Sequence, residues 1–347
     1  MPVIIRGSFA NGNGINLDDC SNISCALKTG GIEIKWTDPQ DVVFNGKITA
    51  QWIGTKLVRK TGAYPTSETD GTVLIDSKVR NAYSSQPFID KGVQNNTVYY
   101  YCLFPYTEKS VTKSDSNRFK QKMIVFNSVL KNNTWEQIAQ ASEAGIASTI
   151  WNIGDEINLT LSGEINQTIT MQIWDFNHFD KSDGTGKAGI IFGTKNLLNS
   201  EYKMNTEATS QNGWRGSLMR SDTMIKVYNS LPPNLKKIVK EVNVRADKGK
   251  NNNFALETVK DKVFIPSYKE TGVIDSSNPP KDDGSIKIPI FTDDTSRIKK
   301  INNSAKHYWL RTSYTGYSNN FHNISDRGST YSDYAFNPKG VCFCFNI

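Results

Sequence analysis

Between residues 31 and 118 apolar side chains recur at every second position in short runs, and turn-forming residues separate the runs. Ile32-Glu33-Ile34-Lys35-Trp36 alternates and stops at Asp38-Pro39, and Ile48-Thr49-Ala50-Gln51-Trp52 alternates again. Gly54 breaks the pattern before Lys56-Leu57-Val58-Arg59-Lys60, and Asp70-Gly71 is a turn signal. Val98-Tyr99-Tyr100-Tyr101-Cys102-Leu103-Phe104 is dense in β-branched and aromatic residues. A period of two sends successive side chains to opposite faces of a strand, so each run can bury one face and wet the other. Short strands at this spacing predict an all-β sandwich.

The chain is 347 residues long, more than one core usually serves, so a second domain is expected. Residues 1–30, rich in Gly and Asn, predict an irregular attachment arm ahead of the sandwich at 31–118. A connector follows over 119–147. In it Asn133 or Thr134 caps a short helix, Trp135–Ala144, which Gly145 stops and which turns Ile138 and Ala141 inward. The second module, 148–347, mixes strands (Glu156–Leu161, Ile169–Trp174) with helices at Ser221–Ser230 and Leu235–Val244. In the second helix Leu235, Ile238, Val239 and Val242 follow helical spacing. At the end, Val341, Phe343, Phe345 and Ile347 form a period-2 apolar stripe, as in a strand with one face in a core.

Composition narrows the function classes. Hydrophobic content of 37% and charged content of 22% are those of a globular chain. The formal charge is +7, with basic residues scattered in small clusters, and no nucleic-acid-binding motif accompanies them. Cysteines are odd in number (Cys20, Cys25, Cys102, Cys342, Cys344) and lack a CxxC pair, which predicts buried free thiols from a reducing compartment. With only His178, His307 and His322, no zinc site is expected. No apolar run is long enough to span a membrane, and the start is too short for a signal peptide. Nucleophile elbow, phosphate loop and HExxH signatures are absent, so neither catalysis nor a cofactor is expected. Asp175, Asn177, His178, Asp180 and Asp183 read as a hydrogen-bonded loop, with Ca²⁺ ligation as the alternative.

Two resemblances follow. Trp36…Asp38-Pro39, Gly54-Thr55-Lys56-Leu57-Val58-Arg59-Lys60, Tyr64-Pro65…Asp70-Gly71, Phe88-Ile89-Asp90 and Thr97-Val98-Tyr99-Tyr100-Tyr101…Phe104-Pro105-Tyr106 resemble the fibronectin type III-like modules of phage tail proteins. The resemblance covers about residues 31–115 and implies a spacer without catalytic residues. In the second module the carriers are Trp151-Asn152-Ile153-Gly154-Asp155, Ile173-Trp174-Asp175-Phe176-Asn177-His178, Asp183-Gly184-Thr185-Gly186, Gly213-Trp214…Met219-Arg220, Asp261-Lys262-Val263-Phe264, Tyr308-Trp309-Leu310-Arg311-Thr312 and Gly340-Val341-Cys342-Phe343-Cys344-Phe345. These resemble an uncharacterised domain family of gut-bacterial prophages and surface proteins. That family is similar to the C-type-lectin-like fold of the formylglycine-generating enzyme and of retroelement-diversified variable proteins. The resemblances imply a fibronectin III/Ig-like sandwich followed by an α+β C-type-lectin-like domain, with Trp309 in the core and Arg311 paired to a buried carboxylate. One relative of the fold is a cysteine oxidase, but nothing in the sequence shows at Cys342 or Cys344 the partial exposure and positive neighbour that a reactive thiol wants, so structural cysteines are expected.

The segment from Tyr314 to Asn337 is built almost wholly from Tyr, Ser, Asn, Gly, Asp, His and Phe. Binding loops favour this vocabulary because Tyr gives large contact area at small entropic cost and Ser and Asn adapt their hydrogen bonds. In the retroelement-diversified relatives the strands and loops before the C-terminus are the variable binding surface. The candidate contacts are Tyr314, Tyr317, Asn319, Phe321, His322, Asn323, Ser325, Arg327, Ser329, Tyr331, Asp333, Tyr334, Phe336 and Asn337. The plainer reading is a hairpin turning at Asp326-Arg327-Gly328 with polar residues facing water. The expectation is a receptor-binding protein of a phage tail or tail-like particle, made in the bacterial cytoplasm. Its partners would be a host surface glycan or protein and other tail or baseplate proteins, with no nucleic acid and with homo-oligomerisation open. The alternative is a structural tail or baseplate component.

Overall fold

The computed structural model describes residues 16–273 and 285–347. The chain divides into two compact units, Met1–Val125 and Phe126–Ile347. Both are rich in antiparallel sheet, with few and short helices.

Unit 1 runs β1 (Ser21–Lys28), β2 (Gly31–Thr37), β3 (Val42–Phe44), β4 (Lys47–Ala50), β5 (Gly54–Thr61), β6 (Thr72–Ser77), α1 (Ala82–Ser85), β7 (Phe88–Asp90), β8 (Val98–Tyr106) and β9 (Arg118–Lys122). One sheet has the order β1-β2-β7 and the other β6-β5-β8-β9, with β3-β4 a separate hairpin. The alternation seen in sequence becomes burial: Ile32, Ile34 and Trp36 on β2 and Leu57, Tyr101 and Leu103 on the other sheet are fully buried. Polar side chains tie the sheets. Asp90 on β7 accepts hydrogen bonds from Tyr101 Oη (2.9 Å) and from Arg59 Nη1 (2.9 Å). Asp38, 2% exposed, accepts from Trp36 Nε1, Thr55 Oγ1 and the Asn81 N–H, so the Trp36…Asp38 motif is a buried polar knot. A buried carboxylate needs its acceptor sites filled, and this one has them filled.

The expected arm needs correction. Its residues 1–15 lie outside the described residues, and from Ser21 the chain is no arm but β1, paired antiparallel with β2. At the other end β9 extends the four-stranded sheet beyond residue 118.

Unit 2 runs α2 (Trp135–Glu143), β10 (Glu156–Leu161), β11 (Gln167–Phe176), β12 (Ile190–Thr194), a π-helical turn (Met219–Thr223), α3 (Met224–Ser230), α4 (Pro233–Ile238), β13 (Val242–Asp247), β14 (Leu256–Asp261), β15 (Val263–Phe264), α5 (Asp294–Arg297), β16 (Lys300–Ile301), β17 (Ser304–Ala305), β18 (Tyr308–Ser313), β19 (Asn320–Ile324), β20 (Thr330–Tyr334) and β21 (Cys344–Asn346). A five-stranded sheet, β10-β11-β12-β21-β15, holds the core, and β18-β19-β20 form a second sheet. Trp135 meets Phe192 edge-on at 5.3 Å, and Phe179 meets Phe264 at 5.1 Å. Gly193 is required where β12 crosses Trp174, because a Cβ there would lie 2.0 Å from the indole.

The connector helix α2 belongs to this unit. Thr134 caps it in a reciprocal capping box with Gln137, Gly145 follows at φ 68°, and Ile138 and Ala141 are fully buried. Asn133 is not the cap. Its amide instead holds the preceding turn through the Asn127, Val129 and Leu130 carbonyls. The helix expected over Leu235–Val244 stops at Ile238, and Val242 and Val244 lie in β13, whose pairing with β14 overrides the helical spacing. The terminal stripe also differs: every residue from Val341 to Ile347 is buried, because β21 is a central strand covered on both faces.

Candidate functional site: the C-terminal sheet

The β18-β19-β20 sheet is anchored from below by its first strand. Trp309 is fully buried and its Nε1–H donates to the Tyr202 carbonyl at 2.9 Å. Arg311, also fully buried, donates to the Arg245 and Ile265 carbonyls and forms a two-point ion pair with the buried carboxylate of Glu270. These roles are the ones the resemblance implied: core and scaffold, not contact surface.

The candidate contacts separate by strand alternation. β20 pairs with β19 in the register Tyr331↔Asn323 and Asp333↔Phe321 on one face, Ser332↔His322 and Tyr334↔Asn320 on the other. Phe321, His322 and Asn323 are at most 1% exposed, since β19 is the middle strand. Their side chains are therefore closed to a partner, contrary to the expectation from composition. His322 lies between the rings of Tyr268 (4.8 Å) and Tyr314 (5.1 Å). Asn323 Oδ1 is 3.0 Å from His307 Nδ1, on the face that carries Tyr331.

The other candidates lie at the rim. Tyr317, 63% exposed, stacks on the half-buried Tyr314 at 5.8 Å. Tyr334 and the exposed Phe336 stack at 5.7 Å with planes 8° apart, just past the end of β20. Half-buried Asn319 accepts from the Ala335 N–H through its carbonyl, and Asn337 Nδ2 donates to Asp333 Oδ1 at 2.8 Å. Ser325, Arg327 and Ser329 form the β19–β20 turn, where Ser325 Oγ accepts from the Arg327 and Ser329 N–H groups. Gly328 takes φ 83° there, as the turn reading requires.

A cleft of about 750 Å³ opens beside this turn. Its walls include Ser325, Arg327, Ser329, Tyr331 and Asp333 from the candidate set. They also include Glu201, Lys306, His307 and Lys339, which composition did not single out. Backbone pairing brings these in: the Gly340 N–H donates to the His307 carbonyl, and Lys339 exchanges two hydrogen bonds with Tyr202. The available sequence signal was adjacency, since His307 directly precedes the Tyr308-Trp309 motif and Lys339 directly precedes Gly340. Lys339 pairs with Asp333 at 2.7 Å and lies 5.4 Å from the centroid of the buried Trp309. Partial burial raises the Asp333 carboxyl, but the hydrogen bonds from Lys339, Asn337 and the Tyr334 N–H outweigh it and hold its pKa below the usual carboxylate value.

Residues 189–347 match a family described as a domain of unknown function, DUF6273. The match runs from β12 to the C-terminus and includes the whole sheet and cleft. No curated protein matches the chain.

Several charged residues of the quoted motifs outside the cleft are partnered within the fold. Trp214 Nε1 and Arg220 Nε both donate to Asp261, which joins two of the quoted motifs. Asp175 pairs with His178 Nδ1 at 2.7 Å, Asp180 with Lys187, and Asp183 closes its own turn on Thr185. Among the described residues no group of three or more His, Cys, Asp or Glu side chains is arranged to hold a metal. No helix among them is long and apolar enough to cross a membrane.

Proposed function

We propose that the chain is a recognition protein of a phage tail or tail-like particle, in which a fibronectin III-like unit carries a C-type-lectin-like unit that binds a host cell surface. One observation carries the reading. Among the described residues the exposed aromatic side chains are Phe44, Tyr317, Tyr331, Tyr334 and Phe336, so all but one border the C-terminal sheet. Exposed aromatics cost solvation without contributing to the fold, and they dominate contact surfaces. The scaffold beneath them is rigid, with Trp309, Arg311 and Phe321 locked in the core.

Two features support the spacer reading of unit 1. Its three- and four-stranded antiparallel sheets have the division of that sandwich family. Near the start of β8 the Tyr99 hydroxyl accepts from the Gln94 N–H five residues upstream at 2.9 Å, as in a tyrosine corner.

The test is adsorption of the full chain to a panel of bacterial strains, beside a variant carrying Tyr317→Ala, Tyr331→Ala, Tyr334→Ala and Phe336→Ala. Strain-selective binding that the variant loses is the expected result. A folded protein that adsorbs to no strain would instead favour a structural tail or baseplate component, with the aromatic rim an assembly contact.

A further inference from the structure

We infer that the cleft between Tyr331 and Lys339 is a saccharide site whose ligand is a neutral, hydroxyl-rich sugar; this deepens, and rests on, the recognition reading above. The volume, about 750 Å³, is within the range of small-ligand sites. The ring of Tyr331 is 60% exposed and is met edge-on by His307 at 5.7 Å, which fixes an aromatic plate in the cleft wall. Such a plate suits the C–H face of a pyranose.

The charges choose among ligand classes. Carboxylates of Glu201, Asp326 and Asp333 face cations of Lys306, Arg327 and Lys339 around one cavity. An ionic ligand of either sign meets repulsion as well as attraction there. A hydroxyl group serves both, since it donates to a carboxylate and accepts from an ammonium or guanidinium. Several of these groups are already held in place: Asp333 by Lys339 and Asn337, Lys339 over the Trp309 ring, and His307 by Asn323. Preorganised groups lose little entropy on binding.

The experiment exposes the full chain to an array of immobilised neutral and acidic glycans, with Tyr331→Ala, Asp333→Asn and, as control, Phe44→Ala in unit 1. Circular dichroism verifies that each variant is folded. The expected result is binding to a subset of neutral glycans, weakened about tenfold or more in Tyr331→Ala and Asp333→Asn and unchanged in Phe44→Ala. Binding confined to acidic glycans, or binding indifferent to both cleft variants, overturns the proposal. Failure to bind any glycan by a protein that still adsorbs to cells overturns the saccharide site and leaves the recognition reading standing. Glycan binding without cell adsorption does the reverse.

Discussion

Arg311 and Glu270 are fully buried; Arg311 donates to Glu270 and to two backbone carbonyls, and Glu270 accepts from Arg311 and the Ser267 N–H, so neither can be removed alone without stranding a charge. Glu270→Ala is therefore expected to destabilise unit 2 by about 3–5 kcal/mol in urea unfolding. The neighbouring aromatics divide by the same logic. Phe321→Ala opens a cavity under β19 and should cost about 3–5 kcal/mol, whereas Tyr331→Ala, at an exposed position, should change stability by about 0.5 kcal/mol or less. Equal effects of the two would contradict the burial described here. Residue type alone could not separate them, because Phe321 and Tyr331 occur in the same polar, aromatic-rich segment. What separates them is β19's middle place in the sheet, a long-range pairing that composition does not carry.

At the scale of elements, legibility followed the range of the interactions that fix each one. The cap of α2 is local, so the sequence narrowed it to Asn133 or Thr134, and the reciprocal pairing of Thr134 with Gln137 three residues on decides for Thr134. Strand β2, with its Asp38-Pro39 stop, was equally readable. Leu235–Val244 was not, because its helical spacing competes with the β13–β14 ladder, and the ladder takes Val242 onward. Strand β1 was hidden in a Gly- and Asn-rich stretch, since its partner β2 supplies the pattern that its own sequence lacks. Close approach gives an element-scale prediction. Gly193→Ala must push Trp174 out of place and should lower stability by about 1–3 kcal/mol, visible as a lower denaturation midpoint with quenching or shift of buried tryptophan emission. An unchanged midpoint would mean that β12 and Trp174 are not packed as described.

At the scale of the whole molecule, the core of unit 2 encloses titratable groups that fix its behaviour in alkali. Burial pushes the thiols of Cys342 and Cys344 and the hydroxyl of Tyr308 above their ordinary values. Groups raised in the folded state contribute stability that is complete below their unfolded pKa and is lost as pH rises beyond it. Lys299, wholly buried and donating to the Thr194 and Lys195 carbonyls, is lowered by burial and acts in the opposite sense. With the half-buried Tyr202 also raised, four raised acids against one lowered base predict a net loss of stability from about pH 9 upward. The melting temperature should fall between pH 8 and pH 10.5, and Cys344→Ala should flatten that fall. A melting temperature that rises over this interval would show that the buried lysine dominates.

In the proposed function, the open rim of the C-terminal sheet is the surface that meets a partner. Hydroxyl-radical footprinting of the full chain, free and bound to a strain that adsorbs it, tests this most directly. Tyr317, Tyr331, Tyr334 and Phe336 should be oxidised in the free protein and protected in the bound one, with the buried Trp309 and Phe321 unreactive in both. Protection that leaves these four residues fully reactive, and falls on another part of the chain, would contradict it.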